Sequence, residues 1–144
     1  MNYSENHRME IAITPTAGAA GTSAINGASC DCQRVDGVLV AVQMGAIVAT
    51  AVTSIKLQGS DDNSTWADLE GTSQSIADDA DDKLFYIDLY RPVHRYNRVV
   101  VSRGTANATV SAAVYHKYCM GKVPVSQGTN VSGELHISPD EGTA

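Results

Sequence analysis

Cysteine is scarce in this chain of 144 residues, and its placement does not suit a disulfide framework. The three thiols, Cys30, Cys32 and Cys119, are an odd number, and side chains two apart on a strand rarely bridge each other. They could serve together as thiolate ligands of zinc, but no fourth ligand is evident. We therefore expect three ordinary thiols, no cofactor, and synthesis in a reducing cytoplasm.

Long apolar runs and an excess of positive charge are also missing. No stretch approaches the ~20 apolar residues that a membrane span requires, and the polar first ten residues lack the apolar centre of a signal peptide. The net charge is −6, whereas phosphate contacts need clustered Lys and Arg. We expect neither a membrane nor nucleic acid among the partners.

Catalytic motifs do not occur in the sequence. There is no G-x-S-x-G, no H-E-x-x-H and no G-x-x-x-x-G-K pattern, and the four histidines are scattered. The acidic run at residues 78–82 could hold calcium, but it lacks the spacing of an EF-hand loop, which favours a solvated loop. We predict that the chain is not an enzyme and has neither catalytic residues nor a metal site.

Large aromatic side chains are few, and the single Trp and single Phe both lie between residues 54 and 96. A buried aromatic removes ~150–250 Å² from water, which at ~25 cal/mol per Å² is worth several kcal/mol. We therefore predict that Trp66 and Phe85 anchor the core.

What the sequence does contain is alternation of apolar and polar residues, broken by Gly, Asn and Asp. This pattern predicts an all-β fold, an antiparallel jelly roll or β-sandwich of about seven or eight strands with an extended C-terminal arm. Residues 104–107 are predicted to form a hairpin turn. Val38, Val40 and Val42 are predicted to share one face of a strand, as are Phe85, Ile87 and Leu89. Inward orientation is predicted for Val110, Ala112 and Val114.

The composition divides the chain into three parts. Residues 1–34 give a first strand and a Gly/Ala/Ser-rich segment that pack on the sandwich, residues 35–119 give its core, and residues 120–144 give the arm. The arm has too few apolar residues for a core of its own, so we expect it to gain order on a neighbouring molecule, with residues 134–138 pairing as a strand. Its predicted interface residues are Val123, Pro124, Val125, Val131, Leu135 and Ile137.

A basic patch of Arg91, Arg95 and Arg98 is the second candidate interface. These side chains could cap strand ends, pair with acidic loops, or cross a seam between subunits, where bidentate pairing with a carboxylate would strengthen the contact. Because basic and acidic residues are separated along the chain, copies could also pair edge to edge, although a solvated loop remains the simpler interpretation of the acidic run.

Two stretches resemble the head cement or decoration proteins of tailed bacteriophages. They are L-Q-x-S-D-D-x-S-T-W-x-D-L at residues 57–69 and R-P-x-x-R-Y-x-R-V-V-V at residues 91–101. The resemblance implies a jelly-roll virion protein on the capsid exterior. Copies, as dimers or trimers, would bridge subunits of the major capsid protein and stabilise the head.

A second resemblance is to discoidin-like carbohydrate-binding sandwiches. It rests on S-D-D-N-S-T-W at residues 60–66 and R-Y-N-R at residues 95–98. It implies, as the alternative function, a carbohydrate-binding module used in virion adhesion. Asn63 stands where that family favours Gly, and no Cys pair ties the ends of the domain together. The likeness therefore supports a sandwich fold more than a sugar site.

Overall fold

The computed structural model describes residues 2–136, which form one short helix and ten strands. The bounds are α1 Tyr3–Asn6, β1 Arg8–Ile13, β2 Ile25–Asn26, β3 Cys30–Asp31, β4 Val35–Ile47, β5 Val52–Ser60, β6 Ala67–Asp68, β7 Gln74–Ile76, β8 Leu84–Tyr90, β9 Tyr96–Gly104 and β10 Ala108–Met120.

The strands form two antiparallel sheets around one apolar core. Sheet A has the order β1-β10-β4-β8, and sheet B has the order β2-β9-β5-β6, with β3 also on β9 and β7 also on β5. If β2 and β3 count as one interrupted strand, and β6 and β7 as another, the eight strands have the order of a jelly roll. The predicted all-β sandwich is confirmed. Four of the ten strands have only two or three residues, too few to show alternation in the sequence.

The core is built from valine, isoleucine and alanine rather than from large aromatic rings. Val38, Val40 and Val42 share one face of β4 as predicted. That face is buried, and the three valines lie opposite Leu89, Ile87 and Phe85 of β8. The largest fully buried side chains are Tyr115 and Met44.

The two predicted core anchors fare differently. Phe85 is half-buried and packs against the core from the edge strand β8. The prediction for Trp66 is wrong, because its ring lies outside the core cluster, partly exposed on sheet B. The single Trp is therefore a surface residue.

A β-bulge changes which residues of β10 face the core. Val110 lies opposite Met44 and Ala112 opposite Gln43, so β10 uses one more residue than β4 over this stretch. Val110 is buried as predicted, but beyond the bulge the buried side chains are Ala113, Tyr115 and Lys117. The prediction that Ala112 and Val114 face inward is wrong for this reason.

The Gly/Ala/Ser-rich segment between β1 and β2 lies against β10 beside this bulge. The N–H of Val110 donates to the carbonyl of Gly18 at 2.8 Å, and that of Ala108 donates to the carbonyl of Gly21 at 3.0 Å. A Cβ atom on Gly18 would lie 1.9 Å from the carbonyl oxygen of Val110, so only glycine permits this approach. The Arg103 guanidinium holds the same segment through the carbonyls of Ser23 and Ala19, each at 2.7 Å.

The turn at residues 104–107 is not a hairpin. It joins β9 of sheet B to β10 of sheet A, and these two strands do not pair with each other. Thr105 has φ +65°, which helps to reverse the chain. Because a tight turn fits either connection, the sequence pattern could not distinguish a hairpin from a crossing between sheets.

Tyr115 links the two sheets through its hydroxyl group. The N–H of Val99 donates to this hydroxyl at 2.9 Å, and the hydroxyl donates to the carbonyl of Ala28 at 2.8 Å. Val99 lies on β9 between the residues that pair with β3 and those that pair with β2. Neither short strand therefore offers an acceptor to its N–H. Burial raises the pKa of Tyr115, so the hydroxyl stays protonated and able to donate.

Lys117, the next inward residue of β10, is a buried charge with partners. Its Nζ lies 2.7 Å from Glu10 Oε1 on the neighbouring strand β1, and it donates to the carbonyl of Asp31 at 3.2 Å. Losing the Glu10 carboxylate would leave the Lys117 ammonium in the core without an opposite charge.

We predict that Tyr115→Phe destabilises the fold by about 1–3 kcal/mol, because the buried N–H of Val99 loses its acceptor. The matched control is Tyr118→Phe, whose hydroxyl donates to Asp88 on the outer surface of sheet A. The control should cost about 1 kcal/mol or less. Chemical denaturation of both variants measures the difference. Equal losses would contradict the role given to Tyr115.

Candidate interaction surface

The outer faces of the two sheets differ in chemistry. On sheet B, Lys56 Nζ lies 2.7 Å from Asp68 Oδ2, Gln58 donates to Asp68 Oδ1 at 2.8 Å, and Arg98 donates to Gln58 Oε1 at 2.8 Å. The pairing with Lys56 lowers the pKa of Asp68, which keeps the carboxylate charged. This face has the polar character of a sheet that faces water.

The outer face of sheet A is mostly apolar. Register and burial place thirteen side chains on it, of which Asp88 is the one carboxylate and Gln43 the one amide. Leu84, Tyr86 and Tyr90 are 65%, 63% and 61% exposed, respectively. Contiguous exposed apolar patches are typical of interaction sites, so this face is the candidate interaction surface. The set comprises Met9, Ile11, Leu39, Ala41, Gln43, Leu84, Tyr86, Asp88, Tyr90, Ala112, Val114, His116 and Tyr118, which we call the apolar face.

The helix α1 covers the β10 side of the apolar face. The Tyr3 hydroxyl lies 3.1 Å from Nδ1 of His116, and the Tyr3 ring stacks on His7 with centroids 4.0 Å apart. Burial and the nearby His7 lower the pKa of His116, so its imidazole is neutral at neutral pH. The part of the face formed by β8 keeps its large side chains exposed.

Tyr118 shapes the middle of the apolar face. Its ring lies across β4 at Gly37, where an added Cβ would come within 2.2 Å of the ring. From there its hydroxyl donates to Asp88 Oδ1 at 2.6 Å. The one carboxylate of the face is therefore already hydrogen-bonded, and apart from Gln43 the remaining exposed side chains of the face are aromatic or aliphatic.

Strand β8 also leaves one edge of sheet A open. It pairs with β4 on one side and is the last strand in the sheet order. At the opposite edge, the N–H of Met9 on β1 donates to the Gln127 side chain at 2.9 Å, so that edge is partly capped by the arm. Open edges template pairing with another strand. The β8 edge is therefore a further contact site within the described residues.

The S-D-D-N-S-T-W turn is organised by Asp62. The N–H groups of Thr65 and Ser64 donate to Asp62 Oδ1 at 2.7 and 2.9 Å, and these bonds lower the pKa of Asp62. The turn delivers Trp66 to sheet B, where the Arg98 guanidinium carbon lies 4.3 Å from the ring centroid. One face of the indole therefore contacts a cation.

The three arginines of the predicted basic patch have separate surroundings. Arg95 donates to Asp31 Oδ2 at 2.9 Å, which lowers the pKa of Asp31, and Arg98 binds Gln58. The guanidinium of Arg91 lies 5.2 Å from the Tyr90 ring centroid, at the end of β8. Of the three, Arg91 is the one next to the apolar face.

The described part of the arm folds back on its own chain. The N–H of Val125 donates to the carbonyl of Glu5 at 2.9 Å, and the Gln127 side chain donates to the carbonyl of His7 at 2.7 Å. Val131 is half-buried there, whereas Val123, Pro124 and Leu135 are exposed. The expectation of an arm free to order only on a neighbour is wrong for this part. Residues 134–136 form no strand, and Ile137 lies outside the described residues.

The acidic loop and the thiols serve the fold. Asp78 accepts from the N–H of Thr50 at 2.6 Å, and Asp81 accepts from that of Ile47 at 2.7 Å. Cys30 and Cys32 are buried with sulfur atoms 3.9 Å apart, and their hydrogen bond, together with burial, raises the pKa of Cys30. Among residues 2–136, no three His, Cys, Asp or Glu side chains are grouped to hold a metal ion. In the same range, no helix is long and apolar enough to cross a membrane.

The sequence reasoning missed the apolar face, although a signal for it was present. In the stretch L-F-Y-I-D-L-Y, both alternating sets of residues are largely apolar or aromatic, whereas a strand with one face in water alternates with polar residues. Ile11, Leu39 and Val114 repeat this signal on the other strands of sheet A.

Comparison with known proteins identifies a shared fold. No family model matches the chain, and no curated protein matches it. Among solved structures, the chain is similar to the PBSX exported protein XepA, with a TM-score of 0.53 and 19% sequence identity. The match covers 96% of this chain and 45% of that protein, so the chain spans a little under half of its structural neighbour.

Proposed function

We propose that this chain is a non-enzymatic structural protein of a phage particle that decorates the capsid exterior and bridges subunits of the major capsid protein. The observation that carries the proposal is the apolar face of sheet A, which contrasts with the hydrogen-bonded polar face of sheet B. A protein that works by contact needs such a face.

The structural neighbour supports a phage context for this surface. It is an exported protein of the phage PBSX and shares the fold across nearly the whole of this chain. The two motifs that resemble head cement proteins have structural roles here, because Asp62 builds the turn and Arg98 stacks on Trp66. The particle contacts would therefore come from sheet A.

We propose that stable binding results from several contacts that are individually weak. Burying one large apolar side chain contributes on the order of 1–3 kcal/mol, from which the costs of association must be subtracted. A single copy would therefore bind weakly. Copies that span neighbouring capsid subunits gain through effective concentration, because the second contact forms within an assembly already held together. The exposed Val123 and Leu135 of the arm would extend the contact surface.

We predict that Val114→Lys weakens binding to bare phage heads by at least about tenfold, because it places a charge among the apolar side chains of Ile11 and Ala41. The matched control is Val52→Lys on sheet B, where the valine is 67% exposed. Cosedimentation with heads, after thermal unfolding has shown both variants to be folded, measures the difference. Undiminished binding of the Val114 variant would reject the proposed surface.

A carbohydrate-binding module for adhesion is the second candidate, and the surface position of Trp66 favours it. The ring contacts Arg98, and Arg98 is linked by hydrogen bonds to Gln58 and through it to Asp68. Sugar sites also combine an aromatic ring with hydrogen-bonding side chains. If this is the function, Trp66→Ala abolishes binding to a glycan array while the fold is kept. Absence of any glycan binding by the unmodified chain would exclude it.

A further inference from the structure

We propose that a second copy of this chain occupies the open edge of β8. The two β8 strands would pair antiparallel about Ile87, so that two four-stranded sheets become one sheet of eight strands. The inference deepens the proposed function and rests on it in one respect: the pair would be the unit that spans two capsid subunits.

The backbone of β8 presents its free groups in a regular order. The N–H of Arg91 donates to the carbonyl of Asp36 at 2.7 Å, and the N–H of Met44 donates to the carbonyl of Lys83 at 3.0 Å. In an antiparallel pair, every second residue directs its N–H and C=O groups toward the neighbouring strand. The two bonds show that in β8 these residues are Phe85, Ile87 and Leu89, whose groups point toward β4. The groups that point away from the sheet belong to Leu84, Tyr86, Asp88 and Tyr90.

The register centred on Ile87 uses all of these outward groups. It places Leu84 opposite Tyr90 of the second copy and Tyr86 opposite Asp88, each as a hydrogen-bonded pair. Centring the pairing on Asp88 would put two like charges opposite each other, which is unfavourable. Centring it on Tyr86 would leave Tyr90 without a partner. The strand is therefore complementary to itself in one register.

The inner face of β8 also favours this arrangement. Phe85, Ile87 and Leu89 face the core but remain half-buried, so the core is incompletely covered at this edge. In the proposed register, Ile87 meets Ile87 and Phe85 meets Leu89 of the second copy. Pairing would thus continue the apolar inner layer across the junction.

Charge selects a second copy over an unrelated strand. The acidic run at residues 78–82 precedes β8 and Arg91 follows it, with Asp79 and Asp82 exposed. Antiparallel pairing brings the acidic end of one copy to the basic end of the other, whereas parallel pairing would join like ends. Lys83 would face Arg91 at the exposed end of the ladder, where solvent screens their repulsion.

Two-fold pairing has consequences for the particle. It closes both open β8 edges, which removes a route to uncontrolled association. It also joins two apolar faces into one continuous surface. One half of that surface could rest on each of two neighbouring capsid subunits.

The test uses single cysteines in a Cys119→Ser background, in which the remaining native thiols are buried. In Ile87→Cys, the new thiols of two copies face each other in a non-hydrogen-bonded pair, where Cβ atoms approach most closely. Mild oxidation should therefore give a covalent dimer. Leu89→Cys is the matched control, because its thiol would face Phe85 of the second copy and should remain unlinked.

A second pair of variants tests the backbone hydrogen bonds. Tyr86→Pro removes an outward N–H, a change that an edge strand tolerates, and Tyr86→Val keeps that N–H. The proline variant should dissociate at least about tenfold more readily than the valine variant, because two symmetric hydrogen bonds are lost. Analytical ultracentrifugation over a dilution series measures this. The ultracentrifugation comparison of the two Tyr86 variants also tests the β8 pairing if the Ile87→Cys variant does not fold.

A monomer at every concentration, a ring of higher order, or equal cross-linking of both cysteine variants would overturn the inference. So would binding of β8 to a strand of the capsid protein in place of the second copy. The cross-linking and ultracentrifugation measurements need no phage heads. A dimer that fails to bind heads would therefore refute the proposed function and leave the pairing intact.

Discussion

The bulge in β10 is the constraint on which the rest of the structure depends. By inserting one residue near Val110, it turns Tyr115 and Lys117 toward the core and His116 and Tyr118 toward the outside. Tyr115 then links the sheets through Val99 and Ala28, and Tyr118 lies across Gly37 to reach Asp88. Without this change of phase, Tyr115 and Lys117 would point away from the core, and His116 and Tyr118 would point into it.

The bulge is itself held from outside the strand. The carbonyls of Gly18 and Gly21 accept hydrogen bonds from β10 where β1 no longer pairs with it, and a side chain on Gly18 would prevent this approach. The Arg103 guanidinium donates to the carbonyls of Ala19 and Ser23 in the same segment and to the carbonyl of Ala108 on β10, and so ties the two together. The Gly/Ala/Ser-rich segment, which was predicted to pack on the sandwich, therefore helps to determine which side chains form the apolar face.

The strands with clear alternation could be predicted from the sequence, and with them the sandwich. Val38, Val40 and Val42 gave the inner face of β4 because every second residue is apolar over a long stretch. The bulge could not be predicted, because its cause is a backbone contact distant in sequence. Trp66 was misplaced because an aromatic ring usually gains most from burial, whereas here valines fill the core and Arg98 holds the indole at the surface. The arm was misplaced because one of its own polar side chains, Gln127, bonds backbone groups of His7 and Met9 next to α1, whereas the prediction relied on apolar residues of the arm.

The asymmetry between the two outer faces links the fold to the proposed function. On the outer face of sheet B, a set of polar side chains already hydrogen-bond one another, namely Lys56, Gln58, Asp68 and Arg98. Contact with a partner there would have to displace these bonds. Sheet A presents aromatic and aliphatic side chains that lose little on leaving water. A particle contact through sheet A is therefore favoured by desolvation.

Hydroxyl-radical footprinting of the chain, free and bound to phage heads at equal concentration, tests the central claim most directly. The account predicts that Leu84, Tyr86 and Tyr90 become protected on binding, while Val52 and Trp66 on sheet B oxidise as they do in the free chain. Protection of Trp66 and Val52 with unchanged oxidation of the three β8 side chains would contradict it.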